Sequence, residues 1–232
     1  MITPRITALL DSVRDFYNSH ATSFTTTRNK FWRDGEYIAQ FLPQQGKILD
    51  VGCGNGRLTT FLSSSAFYTG VDNAENIIEI AQKQYGNEHR TFVVGSMMSL
   101  PFTDNSFDCV VACASLHHIP GYRAQLQSLI EMRRVLQTNG ILIFTVWNLR
   151  HPHYRTLYSF TDDDFEKNDG DMEVPYKADR SITYRFVHAF TEEELETLLI
   201  DAGFSTFSIQ GIHEGVVGDI AQGSNFLVFA QP

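Results

Sequence analysis

The chain has 232 residues, of which 43% are hydrophobic and 12% aromatic, so it can bury a sizeable core and is not expected to be disordered. Its formal net charge of −9 argues against non-specific coating of nucleic acid, although a local basic face is compatible with that charge. Its three cysteines, an odd number, disfavour a disulfide framework and favour a reduced, cytoplasmic setting.

No segment predicts insertion into a membrane. The first ten residues lack a long apolar stretch, and nowhere does the sequence approach the roughly 20 apolar residues of a span. We therefore expect a soluble protein with no membrane partner.

Alternating strand and helix patterns run through the first two thirds of the chain. Such alternation predicts an α/β fold whose parallel strands present their carboxyl ends at one edge, where ligands bind. The predicted strands cover 47–51, 67–71, 91–94, 107–113 and 141–147. Helices are predicted over 4–17, 29–42, 57–64, 75–85 and 123–137, with a short turn at 97–99.

The last third is organised differently. Thr191 and Glu194 form a predicted capping box, and the helix that they begin is expected to end at Gly203. Strands predicted over 204–212 and 225–230 have too short a link for a crossover helix, so they read as an antiparallel pair.

These patterns predict one domain over residues 1–232, and its 148–189 insertion has two interpretations. Because long insertions usually serve as lids or binding loops, we interpret it as a substrate cap. The alternative for its acidic run is a solvated surface loop. The predicted parts are N-terminal helices (1–44), a cofactor-binding core (45–147), the cap (148–189) and a C-terminal helix with a strand pair (190–232).

The most informative motif is a strand that runs into three alternating glycines, Gly52, Gly54 and Gly56. Glycine lets such a turn adopt unusual φ values and lets its backbone approach a ligand closely, so a nucleoside-like ligand is expected. Asp50 precedes the first glycine by two residues, and Asp72 follows on the next strand. A dinucleotide is the alternative ligand, but acids near the loop favour a cationic one.

This spacing resembles motif I of class I S-adenosylmethionine-dependent methyltransferases, and the similarity continues through 95–102, 105–118 and 131–143. The resemblance implies a Rossmann-like, seven-stranded, mostly parallel sheet with helices on both faces and an antiparallel last strand. It also implies S-adenosyl-L-methionine as the cofactor, with Asp72 accepting hydrogen bonds from both ribose hydroxyls. The implied cofactor-binding residues are Asp50, Gly52, Gly54, Gly56, Asp72, Asn73, Ser96, Met97 and Ala114.

Two adjacent histidines, His117 and His118, follow the fourth strand. Neighbouring residues do not easily face one metal ion, and no cysteine or acid lies at a useful spacing, so we predict no metal site. One histidine is expected near the cofactor and the other toward the substrate; the alternative is that both only fill the loop. Cys113 is interpreted as a core residue rather than a nucleophile.

The flanking segments resemble the tRNA (carboxymethyluridine) methyltransferases and the methyltransferase domain of the AlkB-like tRNA hydroxylase. The similarity rests on Arg28 with Trp32, on Trp147, and on Arg185 with His188, whereas Arg33, Phe186 and Val187 depart from the family pattern. It implies a carboxylate acceptor on tRNA and a small zinc-binding activator protein as a partner. The implied catalytic residues are Arg28, Arg185, His188 and His117.

The sequence leaves more than one possibility for the methyl acceptor. A carboxylate is already ionised at neutral pH and needs no general base, so Arg28 and Arg185 would orient it. A small-molecule carboxylate or hydroxyl is the second possibility, which the acidity of the chain favours, and a non-catalytic cofactor-binding module is the third. A tRNA acceptor requires a positive face, for which the candidates are Arg28, Lys30, Arg33, Arg150, Arg155 and Arg185; ordinary surface charge is the alternative.

Overall fold

The structure is a computed structural model that describes residues 2–28, 32–178 and 181–232. Its main sheet has eight strands, in the order β3-β2-β1-β4-β5-β10-β8-β9, and a separate two-stranded sheet consists of β6 and β7. The strands are β1 (Gly46–Val51), β2 (Ala66–Asp72), β3 (Arg90–Val94), β4 (Phe107–Cys113), β5 (Leu136–Trp147), β6 (Asp171–Ala178), β7 (Ser181–His188), β8 (Thr206–His213), β9 (Val216–Gly218) and β10 (Asn225–Gln231).

The first five strands are parallel, and β10 runs antiparallel between β5 and β8. The predicted mostly parallel sheet with an antiparallel last strand is therefore confirmed. The predicted count of seven strands falls short by β9, which pairs antiparallel with β8. This three-residue strand lies in the glycine-rich link, where Gly215, at φ +78°, reverses the direction of the chain. Strand β9 was not predicted because three residues are too few to show an alternating pattern.

The α-helices cover both faces of the sheet and the cavity at its edge. Helix α1 begins at a threonine cap, because the Thr3 hydroxyl accepts a hydrogen bond from the Ile6 amide (3.4 Å), and Pro4 occupies the first helical position. The helices are α1 (Pro4–Ser19), α2 (Ala21–Thr27), α3 (Arg33–Ala39), α4 (Glu75–Tyr85), α5 (Tyr122–Val135), α6 (Pro152–Tyr158), α7 (Asp162–Lys167) and α8 (Glu192–Asp201).

Two predicted helices differ from those observed. The helix predicted over 29–42 is shorter than expected: α3 covers only Arg33–Ala39 and follows Trp32 in an extended conformation, while residues 29–31 lie outside the described part of the chain. Helix α2 (Ala21–Thr27) precedes this segment and was not predicted. The segment predicted as a helix over 57–64 is a five-residue 3₁₀ helix, Arg57–Phe61. There the Thr59 hydroxyl donates to the Gly56 carbonyl at 2.7 Å, which competes with a regular helical hydrogen-bond pattern.

The capping box at the start of α8 is present as predicted, because the Glu194 amide donates to the Thr191 hydroxyl (3.2 Å) and the Thr191 amide donates to the Glu194 carboxylate (2.7 Å). The helix ends before Gly203, whose φ is +85°. Fully buried leucines of α8 pack with α5 and the sheet in the larger of two core clusters, one on each sheet face.

The insertion over 148–189 contains two short helices and a β-hairpin. Helix α7 begins with its own capping box, Thr161 with Asp164, and Gly170, at φ +76°, leads the chain into β6. Phe165, Met172 and Val174 are buried in a small core of their own beneath the hairpin. The described part of this segment, 148–178 and 181–189, is therefore folded rather than an irregular loop.

None of the described helices is long and apolar enough to cross a membrane. All three cysteines are free, and Cys53 and Cys109 are buried.

Candidate active site

The glycine loop follows β1 and turns sharply at the edge of the sheet. Gly52, Gly54 and Gly56 all have positive φ (+73°, +53° and +74°), so each occupies a conformation that other residues rarely adopt. A Cβ on Gly52 would lie 2.4 Å from the Cβ of Ser115, whereas one on Gly54 would meet nothing closer than 3.6 Å. The first glycine therefore allows close packing of two loops, and the second leaves backbone open to the cavity.

Asp72, at the end of β2, is fixed by the backbone on both sides. One carboxylate oxygen accepts the Gly54 amide and the other the Ala74 amide, each at 3.0 Å. Burial raises the pKa of Asp72, while these backbone hydrogen bonds lower it. Each oxygen keeps a further lone pair, so the carboxylate has room to accept hydroxyl groups from a ligand.

Asp50 is buried on β1 and accepts one hydrogen bond, 2.7 Å from the Tyr68 hydroxyl. Burial raises the pKa of Asp50 to about 7, although the tyrosine hydrogen bond acts in the opposite direction. Within the described chain no cation lies at ion-pair distance from either Asp50 or Asp72. The loop end of the site is therefore acidic and lacks a close ion pair, although the charge of Arg57 acts on Asp50 from a greater distance.

A cavity of about 720 Å³ extends from this loop toward α1, α6 and β7. It is lined by most of the residues that the sequence predicts, while Gly56, His117 and His188 are outside its lining. The predicted residues that line it are Arg28, Asp50, Gly52, Gly54, Asp72, Asn73, Ser96, Met97, Ala114 and Arg185.

At the far end of the cavity Arg185 is held among aromatic rings. Its guanidinium carbon lies 4.9 Å from the ring centre of Trp147 and 5.5 to 6.0 Å from those of Phe16, Tyr17 and Tyr176. Only 5% of Arg185 is exposed, and its Nε has no hydrogen-bond partner. Among the described residues no carboxylate is within ion-pair distance, so the buried charge is uncompensated.

Two more arginines line the same cavity. Arg28 packs over Phe24 (4.9 Å), and burial together with the charge of Arg185 lowers its pKa. Arg57 stacks on Trp32 at 3.9 Å, and burial lowers its pKa to about 10. Neither guanidinium is paired with a carboxylate in the part of the chain that the structure describes. Arg28 and Arg185 influence each other electrostatically, which makes their part of the cavity suited to an anion, whereas the charge of Arg57 acts on both Arg28 and Asp50.

The other candidates for a basic face are not gathered at the cavity. Arg33 reaches Glu214 (4.0 Å), Arg155 pairs with Asp162 (3.0 Å), and Arg150 packs over Phe165 (4.6 Å). Lys30 lies outside the described residues. The cations near the cavity are thus concentrated inside it rather than spread over the surface.

His117 and His188 have positions that differ from those expected of catalytic residues. His117 is fully buried, its Nδ1 accepts the Trp147 amide at 3.3 Å, and its Nε2 has no hydrogen-bond partner. His188 lies between Asp171 (2.9 Å) and Glu194 (3.6 Å). Burial alone would lower the pKa of His188, but the hydrogen bonds and charges of these acids raise it to about 9, which makes it a cationic tie between the hairpin and α8.

Among the residues that line the cavity, Tyr17 and Arg57 were assigned no cofactor-binding or catalytic role from the sequence, and His118 was expected there only as one of the histidine pair. Arg57 directly follows the glycine loop, and that proximity was the available signal. His118 rather than His117 faces the cavity because the short 3₁₀ helix Leu116–His118 directs adjacent side chains differently. In the described residues no group of three or more histidines, cysteines or acids is arranged to hold a metal ion.

Comparison with known proteins identifies the family. Residues 49–144 match the family described as "Methyltransferase domain". The demethylmenaquinone methyltransferase of Staphylococcus epidermidis is 31% identical over 199 residues, which is 82% of this chain and 80% of that protein. The chain belongs to the class I S-adenosylmethionine-dependent methyltransferases.

Two further comparisons agree with this assignment. The methyltransferase is 27% identical over 213 residues to the tRNA (carboxymethyluridine(34)-5-O)-methyltransferase of Schizosaccharomyces pombe, covering 83% of this chain and 88% of that protein. A crystal structure of a SAM-dependent methyltransferase from Methanosarcina mazei matches it with a TM-score of 0.64 and 27% identity, covering 84% of this chain and 95% of that one. The enzyme class and the cofactor, S-adenosyl-L-methionine, are therefore those that the sequence predicts.

The acidic end of the methyltransferase cavity fits this cofactor. S-adenosylmethionine carries an ammonium, a sulfonium and one carboxylate, so it has a net positive charge, and the loop end presents Asp50 and Asp72 with no cation at ion-pair distance among the described residues. Burial raises the pKa of Asp50 to about 7 even though the Tyr68 hydrogen bond and the charge of Arg57 lower it, and an ammonium bound beside Asp50 would favour its ionised form. The lone pairs left on Asp72 suit a pair of ribose hydroxyls.

Proposed function

We propose that this methyltransferase esterifies a carboxylate, and that its acceptor is the carboxymethyl group of a wobble uridine in tRNA. The observation that carries the proposal is Arg185, a guanidinium that is 5% exposed, lines the cavity and lacks a carboxylate partner among the described residues. A buried charge is costly unless it is paired. Retaining one beside the cofactor site is explained if the substrate supplies the anion.

Residues at the two ends of the cavity would hold the two substrates. Asp72 accepts hydrogen bonds from the ribose, Asp50 faces the ammonium, and the glycine loop with Asn73, Ser96, Met97 and Ala114 encloses the nucleoside. When bound, the cofactor supplies an electrophilic methyl group. Arg28 and Arg185 grip the acceptor carboxylate from the opposite end, since a guanidinium fork matches the two oxygens of a carboxylate.

The reaction requires alignment rather than proton removal. A carboxylate with a reference pKa of about 4 is ionised at neutral pH, so the site needs no general base for it. Arginine lowers the nucleophilicity of the oxygens it grips, and charge is lost as the ester forms. Arg28 and Arg185 therefore orient the carboxylate, and proximity supplies part of the roughly 7 to 11 kcal/mol available from alignment.

The charge of the cavity also indicates which of the two relatives is more informative about the methyl acceptor. A quinone acceptor has no carboxylate, so it would leave Arg28 and Arg185 without a carboxylate partner in the complex. A carboxymethyl group pairs with both. The similarity to the S. pombe tRNA enzyme therefore supports this proposal more strongly than the higher identity to the S. epidermidis enzyme opposes it.

The proposal is tested by incubating the enzyme with labelled S-adenosylmethionine and undermodified tRNA, with and without a small zinc-binding activator protein. We expect label in a nucleoside ester that mild base removes, and much less label with Arg185→Met. Base-stable label would contradict a carboxylate acceptor. Label in small carboxylic acids but in no tRNA pool would replace tRNA with a small-molecule acceptor.

A further inference from the structure

Three hydrogen bonds connect Arg185 in a closed ring. Its Nη1 donates to the Tyr17 hydroxyl at 3.2 Å, and that hydroxyl lies 2.7 Å from the His118 Nε2. The His118 Nδ1 lies 2.8 Å from the carbonyl oxygen of Phe186. Because Phe186 is the residue after Arg185, the ring begins and ends on β7, and it joins that strand to α1 and to the loop after β4.

The chemistry of the partners fixes the direction of every bond in the ring. The Phe186 carbonyl can only accept, so the His118 Nδ1 must carry a hydrogen. Burial, and then the charge of Arg185, lowers the pKa of His118 to about 3, so the imidazole is neutral and its Nε2 has a lone pair. Tyr17 must therefore donate to His118, and its oxygen accepts from Arg185.

We propose that Tyr17 and His118 are positioning residues that hold the Arg185 guanidinium in one orientation for the methyl acceptor while leaving its charge unpaired. The inference rests on the proposed function in one respect, the identity of the anion that Arg185 binds. A carboxylate in place of Tyr17 would also fix the guanidinium, but it would compete with the acceptor for the same charge. A neutral ring avoids that competition.

The same ring explains why these residues do not act as a base. The only proton that Tyr17 can give is directed at His118, and burial raises the pKa of the Tyr17 hydroxyl. With a pKa of about 3, His118 does not retain an added proton at neutral pH. Their contribution is therefore geometric, and it suits an acceptor that is already ionised.

Nuclear magnetic resonance tests the ring without any acceptor. In protein labelled with ¹⁵N at histidine, the His118 signal, identified by its loss in His118→Gln, should be that of the neutral Nδ1–H form. In protein labelled at arginine, rotation about the Cζ–Nη bonds of Arg185 should be slow in the wild type and fast in Tyr17→Phe. The matched control is Tyr122→Phe, because the Tyr122 hydroxyl donates to Asp201 away from the cavity.

Kinetics test what the ring does for the acceptor. With undermodified tRNA as the probe, we expect Tyr17→Phe to raise KM about tenfold, the scale of one lost hydrogen bond to a charged group, with kcat changed less. His118→Gln, whose side-chain oxygen can accept from Tyr17, should retain more activity than His118→Leu. Affinity for S-adenosylmethionine should stay within about twofold in all of these variants.

The outcomes separate this inference from the proposed function. A His118 signal of the other tautomer, or freely rotating Arg185 in the wild type, overturns the ring whatever the acceptor is. Normal KM in Tyr17→Phe beside a raised KM in Arg185→Met overturns the positioning role alone. Normal KM in Arg185→Met overturns the proposed function and, with it, the acceptor that the ring is said to serve.

Discussion

The two ends of the cavity differ in charge, and among the described residues neither Asp50 and Asp72 at one end nor Arg28 and Arg185 at the other form a close ion pair. Around the glycine loop, Asp50 and Asp72 have backbone or hydroxyl partners but no cation at ion-pair distance in the described chain. At the other end, Arg28 and Arg185 are set against aromatic rings and have no carboxylate among the described residues. This separation suits a cationic methyl donor at one end and, under the proposed function, an anionic acceptor at the other.

The largest expected effect is the loss of cofactor affinity when a carboxylate at the acidic end of the cavity is removed. Asp72→Ala should weaken S-adenosylmethionine binding at least about 100-fold, because a buried carboxylate that accepts several hydrogen bonds is lost. Isothermal titration calorimetry measures this directly. Arg28→Ala, at the other end of the cavity, serves as the control and should bind the cofactor nearly as the wild type does; unchanged affinity in Asp72→Ala would reject the assigned site.

Substitution at the basic end of the cavity should change kcat/KM for the acceptor instead of cofactor affinity. Arg185→Met should lower kcat/KM for the acceptor about 30-fold or more, the scale of a lost buried charge pair, without loss of cofactor affinity. It should not lower the free energy of unfolding, since methionine suits a cage of four aromatic rings better than an unpaired charge does. Denaturant titration checks the second half of this prediction, and a marked destabilisation would mean that Arg185 is structural.

The raised pKa of Asp50 predicts that cofactor affinity depends on pH. Burial raises that pKa to about 7, and an ammonium group binds the ionised carboxylate, so cofactor affinity should rise with pH through that value. For one coupled group, the dissociation constant should fall about tenfold between pH 6 and pH 8. Asp50→Asn should flatten this dependence. A flat profile in the wild type would remove Asp50 from the cofactor site.

The smallest effect is expected at His188, which belongs to neither half. Asp171 and Glu194 raise its pKa to about 9 in the folded protein, above the reference value of about 6.5, so its stabilising contribution is full below pH 6.5 and is lost as pH rises through 9. His188→Gln should cost about 1 to 2 kcal/mol of unfolding free energy at pH 6 and much less at pH 10. A difference that does not change with pH would contradict the ionic tie.

The two halves also differ in how much of them the sequence could predict. The acidic half is encoded locally, because glycine spacing and a following acid identify a strand-turn-helix unit and its ligand.

The sequence does not show which of His117 and His118 faces the cavity, because the two are neighbours in a short 3₁₀ turn that has no periodic pattern. Neither strand of the hairpin, β6 nor β7, was predicted. In β6, Pro175 and the charged residues resemble a loop, but a two-stranded sheet tolerates proline since both of its strands are edges.

Arg28 and Arg185 were recognised only through resemblance, and Tyr17 could not be assigned a hydrogen-bonding role at all. Its role depends on contacts with residues 118 and 185, which no periodicity or spacing along the chain brings together. His188 shows the reverse problem. A histidine near an arginine suggests catalysis, but Asp171 and Glu194 meet it from two other elements and occupy its ring nitrogens.

The hydrogen-bond ring has a consequence for the order in which the protein can be assembled during synthesis. Contacts that shape the cofactor end, such as Gly54 with Asp72 and Asp50 with Tyr68, join residues 18 positions apart. The contacts of Tyr17 with His118 and Arg185 span 101 and 168 positions. A growing chain can therefore shape the loop for the methyl donor long before its acceptor end exists, and that end is completed only when the β7 strand returns to the first helix.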